Sequence, residues 1–297
     1  MDLIDNCKFQ QTRAEPCPGT LYIVGTPIGN LGDLSPRAKS VLKEVSLIAC
    51  EDTRRSGQLL KIIESKVPLI SYHKHNIKSR LSQLLEVLEN NESIALISDA
   101  GLPGINDPGA ELVQAAKSNH HEVICIPGPC AAITALVISG LDSQRFCFEG
   151  FLPKKKSKRA KRLKDISEEE RTTIIYESPH QLINLLEDLS ILCGKERPIQ
   201  IARELTKRYE ETIGNTIKDT IEYFKSNSPK GEFTLVIAGK KKDSHIERAS
   251  ESEVLNRLNE LITNGEKANA AARIVANETG YKKKWLYSQL HKRLDKQ

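Results

Sequence analysis

Ser98-Asp99-Ala100-Gly101-Leu102-Pro103-Gly104-Ile105-Asn106-Asp107-Pro108-Gly109 is the stretch on which the reading of this chain turns. It follows the apolar run Ile94-Ala95-Leu96-Ile97, which reads as a strand buried in a parallel sheet. Three Gly, two Pro, two Asp and an Asn in twelve residues continue neither a strand nor a helix. Glycine permits close approach of a ligand, and proline fixes the turns between. Such a loop at the carboxyl end of a parallel strand is either a plain βα connection or one wall of a small-molecule site.

Similar junctions lie on both sides of it. Thr20–Val24 reads as a strand running into Gly25-Thr26-Pro27-Ile28-Gly29-Asn30-Leu31-Gly32, after which Ser35 and Pro36 open a helix to Lys43. Leu47–Cys50 is a strand entering the charged segment Glu51-Asp52-Thr53-Arg54-Arg55. Leu69–Ser71 is a short strand, and Ile77–Leu88 is an amphipathic helix. Pro108 and Gly109 start a helix to about Lys117. Val123–Ile126 is a strand followed by Pro127-Gly128-Pro129-Cys130-Ala131-Ala132. Alternating strands and helices predict an open parallel sheet covered on both faces.

The second half carries strands at Arg145–Phe148, Thr172–Tyr176, Pro198–Ala202 and Phe233–Ala238. The reading is an N-terminal α/β domain over 19–127 and a second over 128–240. A poorly ordered arm over 1–18 precedes them, and a charged linker over 240–251 follows. Residues 252–297 read as three helices broken by Gly280, either a basic helix-turn-helix-like extension or a solvated helical hairpin.

At 297 residues with 39% hydrophobic content, the chain builds two real cores. The longest mostly apolar segment, Ala131–Leu141, falls well short of the ~18 residues of a membrane span. The polar N-terminus holds no apolar signal core. A cytoplasmic protein with no membrane association is expected. Seven cysteines, odd in number and with no CxxC pair, predict reduced and mostly buried thiols rather than a zinc site or disulfide framework. His73 and His75 lack a nearby third ligand, so no metal is expected. The whole +5 net charge resides in Tyr281–Gln297, where six Lys/Arg face a single Asp. Lys154–Lys164 adds eight Lys/Arg in eleven positions, a density that points to a polyanionic partner unless Glu168–Glu170 neutralise it. Like-charge repulsion disfavours this run as an ordinary surface helix.

The spacing Gly25-x-x-x-Gly29-x-x-Gly32 fails the dinucleotide fingerprint, and no P-loop, GxSxG or HExxH occurs. None of the strand-end loops carries an obvious nucleophile. Such a site positions a reactive cofactor through backbone groups, and orientation alone supplies up to ~7–11 kcal/mol.

The ordered set Gly25–Leu31, Glu51-Asp52-Thr53-Arg54, Ser98–Gly109, Pro127–Ala132, Glu149-Gly150-Phe151-Leu152-Pro153, Tyr176-Glu177-Ser178 and Ala202-Arg203-Glu204-Leu205-Thr206-Lys207 resembles the rRNA-methylating branch of the tetrapyrrole methylase superfamily. The resemblance spans about Gly19 to Gly239. Glu51–Arg54 and Arg203–Lys207 separate this branch from the small-molecule enzymes. It implies a two-domain class III methyltransferase α/β fold with a helical C-terminal extension, acting as a homodimer. It implies S-adenosylmethionine-dependent 2′-O-methylation of cytidine 1402 in 16S rRNA within the 30S subunit. Carried over by motif, the cofactor touches Pro27, Asp99, Ala100, Gly101, Ile105, Cys130, Ala131, Tyr176 and Ala202. Gly25 departs from the Pro common in the family, which is expected to loosen the first loop.

A ribose hydroxyl is a poor nucleophile, so a base or an electropositive setting is expected beside it. Glu51, Glu177 and Glu204 are the candidates for base or orienting group, with Arg203 and Lys207 easing the developing oxyanion. Each carboxylate equally suits a structural pairing with a neighbouring Arg or Lys. RNA contacts are expected from Asn30, Arg54, Arg55, Lys154, Lys155, Lys156, Lys158 and Arg159. A small-molecule tetrapyrrole methylase and a non-catalytic RNA-binding or ribosome-assembly protein remain as alternatives. If the basic groups grip single-stranded RNA, log affinity falls linearly with log salt at a slope of about 0.7 per phosphate contacted. A fluorescence-anisotropy titration across salt concentrations reads this slope, and salt-independent binding would contradict it.

Overall fold

Short apolar runs bounded by glycine and proline become the strands of the first sheet. In a computed structural model, which describes residues 15–241 and 250–294, these are β1 (Thr20–Val24), β2 (Leu47–Cys50), β3 (Leu69–Ser71), β4 (Ile94–Ile97) and β5 (Glu122–Ile126). All pairings are parallel, in the order β3-β2-β4-β1-β5. β1 and β4 are buried along their whole length, as interior strands of a parallel sheet must be. Between the strands run α1 (Pro36–Glu44), α2 (Thr53–Ile62), α3 (Ile77–Glu89) and α4 (Ala110–Ser118). The side chains of Ser35 and Asp52 cap α1 and α2 by accepting from Ala38 and Arg54 backbone N–H groups. Strand alternation sends Tyr22, Val24 and Ile48 to one core with Val41, Leu42 and Leu60. Leu21, Ile94 and Leu96 go to the other with Leu84, Leu88 and Leu112.

The second sheet follows α5 (Ala131–Ser139). Its elements are β6 (Phe146–Phe151), α6 (Lys156–Glu168), β7 (Thr172–Glu177), α7 (Leu182–Cys193), β8 (Ile199–Arg203), β9 (Glu211–Ile213), α8 (Ile217–Ser226) and β10 (Phe233–Ile237). The order is β6-β7-β10-β8-β9, with β6 and β7 parallel and the other pairs antiparallel. On one face Ala132, Ala135 and Leu136 of α5 pack on Ile174, Ala202 and Val236. On the other, residues of α6, α7 and α8 cover Ile175, Ile201 and Leu235. The period of two along each strand thus assigns Tyr176 and Ala202 to the α5 face and their neighbours to the opposite one.

Three differences from the sequence reading have physical reasons. The strand expected to end at Phe148 continues to Phe151 through a bulge between Phe148 and Gly150. β9 and α8 were not foreseen, although Thr216 and Asp219 form a reciprocal capping box at the start of α8. Of the six cysteines described, all free, only Cys50 is buried and Cys125 is exposed, so the thiols are not mostly buried.

The chain divides into two compact units after Lys240. The second unit holds α9 (Glu251–Thr263), α10 (Ala268–Thr279) and α11 (Lys283–Leu294) around Val254, Leu258, Ala271, Ala272, Val275 and Leu286. Ser250 and Glu253 form a capping box on α9, and Gly280 ends α10 in the left-handed region. The arm expected at 1–18 lies outside the described residues up to residue 14, and so does the linker over 242–249. No helix among the described residues is long and apolar enough to cross a membrane.

The loops after β1 and β5 touch through bare backbone. A Cβ on Gly25 would sit 2.6 Å from Gly128 Cα, and one on Gly128 would sit 2.7 Å from Gly25 Cα. Gly25 therefore seats one loop on the other; the expected loosening is replaced by a contact that excludes any side chain. Gly128→Ala is expected to cost about 1–3 kcal/mol through overpacking. Gly57→Ala, inside α2 with no atom nearer than 3.8 Å to the added methyl, should stabilise by about 0.5–1 kcal/mol. Urea unfolding of both variants measures these opposite signs; a neutral Gly128→Ala would contradict the close approach.

Candidate active site

The carboxyl ends of the parallel strands gather the glycine-rich loops along one edge of the first sheet. Thr26 and Gly101 exchange backbone hydrogen bonds, N to O, of 2.9 and 3.1 Å. The loop after β1 is thereby fastened to the loop after β4. Leu205, Thr206 and Lys207, in the loop after β8, close on Gly29, where an added Cβ would meet Lys207 Cγ and Thr206 Oγ1. Thr206 sits at φ +66°, unusual for a β-branched residue, so surrounding contacts must hold it there.

Between these loops and β7, β8 and β10 lies a cavity of about 450 Å³. Its apolar side is built from Ile28, Ile105, Cys130, Ala131, Phe151, Tyr176, Ala202 and Leu205. Glu51, Asp99, Asp107 and Glu177 also line it. Asp99, Ala100, Gly101, Ile105, Cys130, Ala131, Tyr176 and Ala202, all expected at a cofactor site, share this wall. Pro27 is not on it; its neighbour Ile28 is.

The wall residues are held by specific bonds. Asp99 accepts from the Asp52 backbone N–H at 3.2 Å and pairs with the Arg55 guanidinium at 3.2 Å, joining β4 to the start of α2. The Arg54 side chain, which bonds Asp52, holds the Asp52 carboxyl down at about 2. The Tyr176 hydroxyl accepts from the Ala132 N–H at 3.0 Å, at the N-terminus of α5. Phe148 and Phe151 meet the Tyr176 ring edge-on, with centroids 5.0 and 5.7 Å away. Burial pushes the Tyr176 pKa up to about 12, so the hydroxyl stays protonated.

Several expected catalytic residues stand elsewhere. Arg203 follows Ala202 on β8, so the pleat turns it to the opposite face. There it donates to Lys230 O at 2.8 Å and pairs with Glu211 at 3.1 Å. Glu204, at φ +51°, accepts from the Glu232 N–H and from Lys207 Nζ, at 2.9 and 3.0 Å. Lys207 also reaches Glu232 at 3.0 Å. None of Arg203, Glu204 and Lys207 lines the cavity; they tie Lys230 and Glu232, at the approach to β10, to β8 and the loop after it. Glu177 does line it, tied to Arg159 at 3.5 Å and to the Ser178 N–H at 2.9 Å. Glu51 lines it too.

The basic run forms α6 despite its charge. Arg159, Leu163 and Ile166 fall on one face at the i, i+4, i+7 spacing of a helix, and this signal in the sequence would have turned Arg159 inward. Arg159 reaches Glu177 and Asp188, and Arg162 pairs with Glu149 at 2.9 Å. Arg159 is therefore a structural partner of a cavity carboxylate rather than an exposed phosphate contact. Lys154, Lys155, Lys156 and Lys158 are exposed. Glu168 bonds Lys240 and Glu169 bonds Arg171, so this acidic patch serves other cations. Arg54, although 87% exposed, is held bidentate by Asp52. Arg55 projects at the cavity rim, and Asn30 caps its own turn by accepting from Gly32 N–H. His73 and His75 meet edge to face, and no group of His, Cys, Asp or Glu among the described residues is arranged to hold a metal ion.

Two α/β sheets with strand-end loops gathered around a cavity of small-molecule size match the architecture of the tetrapyrrole methylases. The chain belongs to the Tetrapyrrole (Corrin/Porphyrin) Methylases, whose family model matches residues 20–220. It is 48% identical to ribosomal RNA small subunit methyltransferase I of Synechocystis sp., over 91% of this chain and 96% of that protein. The protein of the same name from Escherichia coli O157:H7 is 43% identical, over 94% of this chain and 96% of its own length. Solved uroporphyrin-III-C-methyltransferase from Thermus thermophilus superposes with a TM-score of 0.53 at 18% identity, over 74% of this chain and 94% of that one. Cobalt precorrin-4 methyltransferase gives 0.56 at 15% identity, over 74% and 95%. These structures share the fold, as the resemblance implied.

Arg159→Ala strands the buried Glu177 carboxylate and is expected to destabilise by about 2 kcal/mol, below the value for a fully buried pair because some solvent reaches Arg159. Lys158→Ala should stay within about 0.5 kcal/mol of wild type. Urea denaturation of the two variants side by side distinguishes them; equal effects would return Arg159 to the surface.

Proposed function

We propose that this methyltransferase transfers a methyl group from S-adenosylmethionine to the ribose 2′-oxygen of cytidine 1402 in 16S rRNA. The observation that carries the reading is the cavity, whose residues fit the cofactor. Its volume of about 450 Å³ falls in the range of small-ligand sites. The small side chains of Cys130, Ala131 and Ala202 leave room along its apolar side, and the carboxylates of Glu51, Asp99 and Asp107 complement a sulfonium cation. Asp99, Ala100, Gly101, Ile105, Cys130, Ala131, Tyr176 and Ala202 would hold it, with Ile28 in the place expected of Pro27.

When bound, S-adenosylmethionine supplies an electrophilic methyl group. The chain's own work is then to orient the ribose, exclude water and remove one proton. Arg55 at the rim, with its neighbour Arg54 and with Asn30 in the loop after β1, suits phosphate and ribose contacts. The exposed Lys154, Lys155, Lys156 and Lys158 suit the flanking RNA backbone. The names of the relatives support small-subunit rRNA as the substrate. The exposed apolar residues Ile133, Val137 and Ile138 of α5 suit pairing with a second copy. A cytoplasmic homodimer acting on the 30S subunit, with no metal and no membrane, is the proposed setting.

The test is incubation with methyl-labelled S-adenosylmethionine and 30S subunits from a strain lacking the modification, then nuclease mapping. Label is expected on the ribose of cytidine 1402. Reversing Lys154, Lys155, Lys156 and Lys158 to Glu should weaken transfer while calorimetric cofactor binding stays unchanged. Label in a tetrapyrrole with none in rRNA would favour the small-molecule activity of the fold relatives. Failure to bind the cofactor would favour a non-catalytic RNA-binding protein.

A further inference from the structure

Among the described residues, three aromatic side chains line the cavity: Phe151, Tyr176 and Phe233. Phe233 is buried in one core of the second sheet. Tyr176 packs against the other, with its hydroxyl engaged by the Ala132 N–H. Phe151 is a member of neither core and is 54% exposed.

The backbone is built to aim this ring. Strict alternation along β6 would put Phe148 and Phe151 on opposite faces of the sheet. The extra residue at Glu149 instead sets Phe148 beside Ile174 and Phe151 beside Tyr176, two positions of one face. Gly150, inside the bulge, adopts φ +62°, and Asn106 Oδ1 stands 2.5 Å from where a Cβ would be. The loop after β4 thus locks the bulge. Tyr176 meets the Phe151 ring at 60°, with centroids 5.7 Å apart, so it braces the ring without lying flat on it. On the other side of the strand Leu152 is buried and anchors the chain. Exposed Lys154, Lys155 and Lys156 follow Phe151 by three to five residues. An aromatic face at a cavity with cations close behind it combines the two parts of a single-stranded nucleic-acid site.

We propose that Phe151 is the stacking platform for the base of the nucleotide whose ribose is methylated, an inference that rests on the rRNA reading above. A nucleotide enters a walled cavity only by leaving its own stack, and a splayed-out base recovers stacking on an aromatic ring. The lysines beyond Phe151 hold the flanking phosphates, which position the strand without stacking its bases. Every base has a face to stack, so Phe151 sets the fraction of time the nucleotide spends in the cavity and not which base is chosen. The adenine of the cofactor offers the same stacking chemistry, and cofactor binding is therefore measured separately.

The experiment compares wild type, Phe151→Ala, Phe151→Leu and Phe151→Trp on 30S subunits. Single turnovers at saturating cofactor and subunits should slow by about 5–150-fold in Phe151→Ala, the worth of one base–aromatic stack. Phe151→Leu, which keeps an apolar side chain without a flat face, should be slow as well. Phe151→Trp should return to near the wild-type rate. Subunit affinity, carried by phosphate contacts, should stay near wild type in all three, as should calorimetric affinity for S-adenosylmethionine. Urea unfolding of Phe151→Leu and Phe151→Trp at the same midpoint keeps the comparison free of folding effects.

A wild-type rate in Phe151→Leu would overturn the proposal, because any apolar contact would then suffice. Weakened cofactor binding in Phe151→Ala with an unchanged turnover at saturation would assign the ring to adenine instead. Variants that sediment as monomers where wild type is a dimer would assign it to a contact between copies. Absence of ribose label with wild type would overturn the rRNA reading itself, and that arm is separate from the variants.

Discussion

The structure depends on backbone meeting backbone without side chains between. Gly25 lies against Gly128, and Thr26 exchanges main-chain hydrogen bonds with Gly101. These contacts draw the loops after β1, β4 and β5 into one wall. A buried main-chain pair satisfies polar groups that water would otherwise have to reach. Thr26 and Gly101 are therefore buried with their main-chain groups paired, while Ala100 and Ile105 of the same wall stay exposed. Thr206 and Lys207 close on Gly29 from the loop after β8, and Tyr176, Ala202 and Phe233 of the second sheet face the strand-end loops of the first across the cavity.

Much of this was legible in the sequence because short apolar runs ending in glycine and proline admit few alternatives. The parallel sheet follows from their alternation with amphipathic helices, and the cavity wall follows from the loop after β4 and its relatives. What the sequence hid depends on direction. Arg203 and Ala202 are neighbours, yet the pleat sends only Ala202 to the cavity. Glu204 and Lys207 spend their charges on each other and on Glu232. Asp107 lay inside the loop that was read first, but its half-burial on the cavity wall and the nearness of Glu51 from the end of β2 depend on the fold. Linear spacing carries none of that.

The basic segment shows how one composition divides into two roles. The helical period turns Arg159 inward beside the buried Leu163 and Ile166 and leaves Lys156 and Lys158 outside, while Lys154 and Lys155, exposed as well, precede the helix. Repulsion along α6 is relieved by ion pairs to Glu177, Asp188 and Glu149, which also fasten the helix beside the cavity. A few tenths of a kcal/mol of like-charge cost on the outer face is small against the apolar side chains buried on the inner one. Charge density therefore located a surface, while periodicity decided which of its members belong to the interior.

The central claim is that the loops after β1, β4 and β5 form the seat of the methyl donor. Amide hydrogen exchange with and without S-adenosylmethionine tests it most directly, residue by residue. Slowed exchange is predicted at Thr26, Ala100, Gly101, Ala131 and Ala132, with Glu211–Ser226 on the far face unchanged. Protection confined to that far face, or no change anywhere at saturating cofactor, would contradict it.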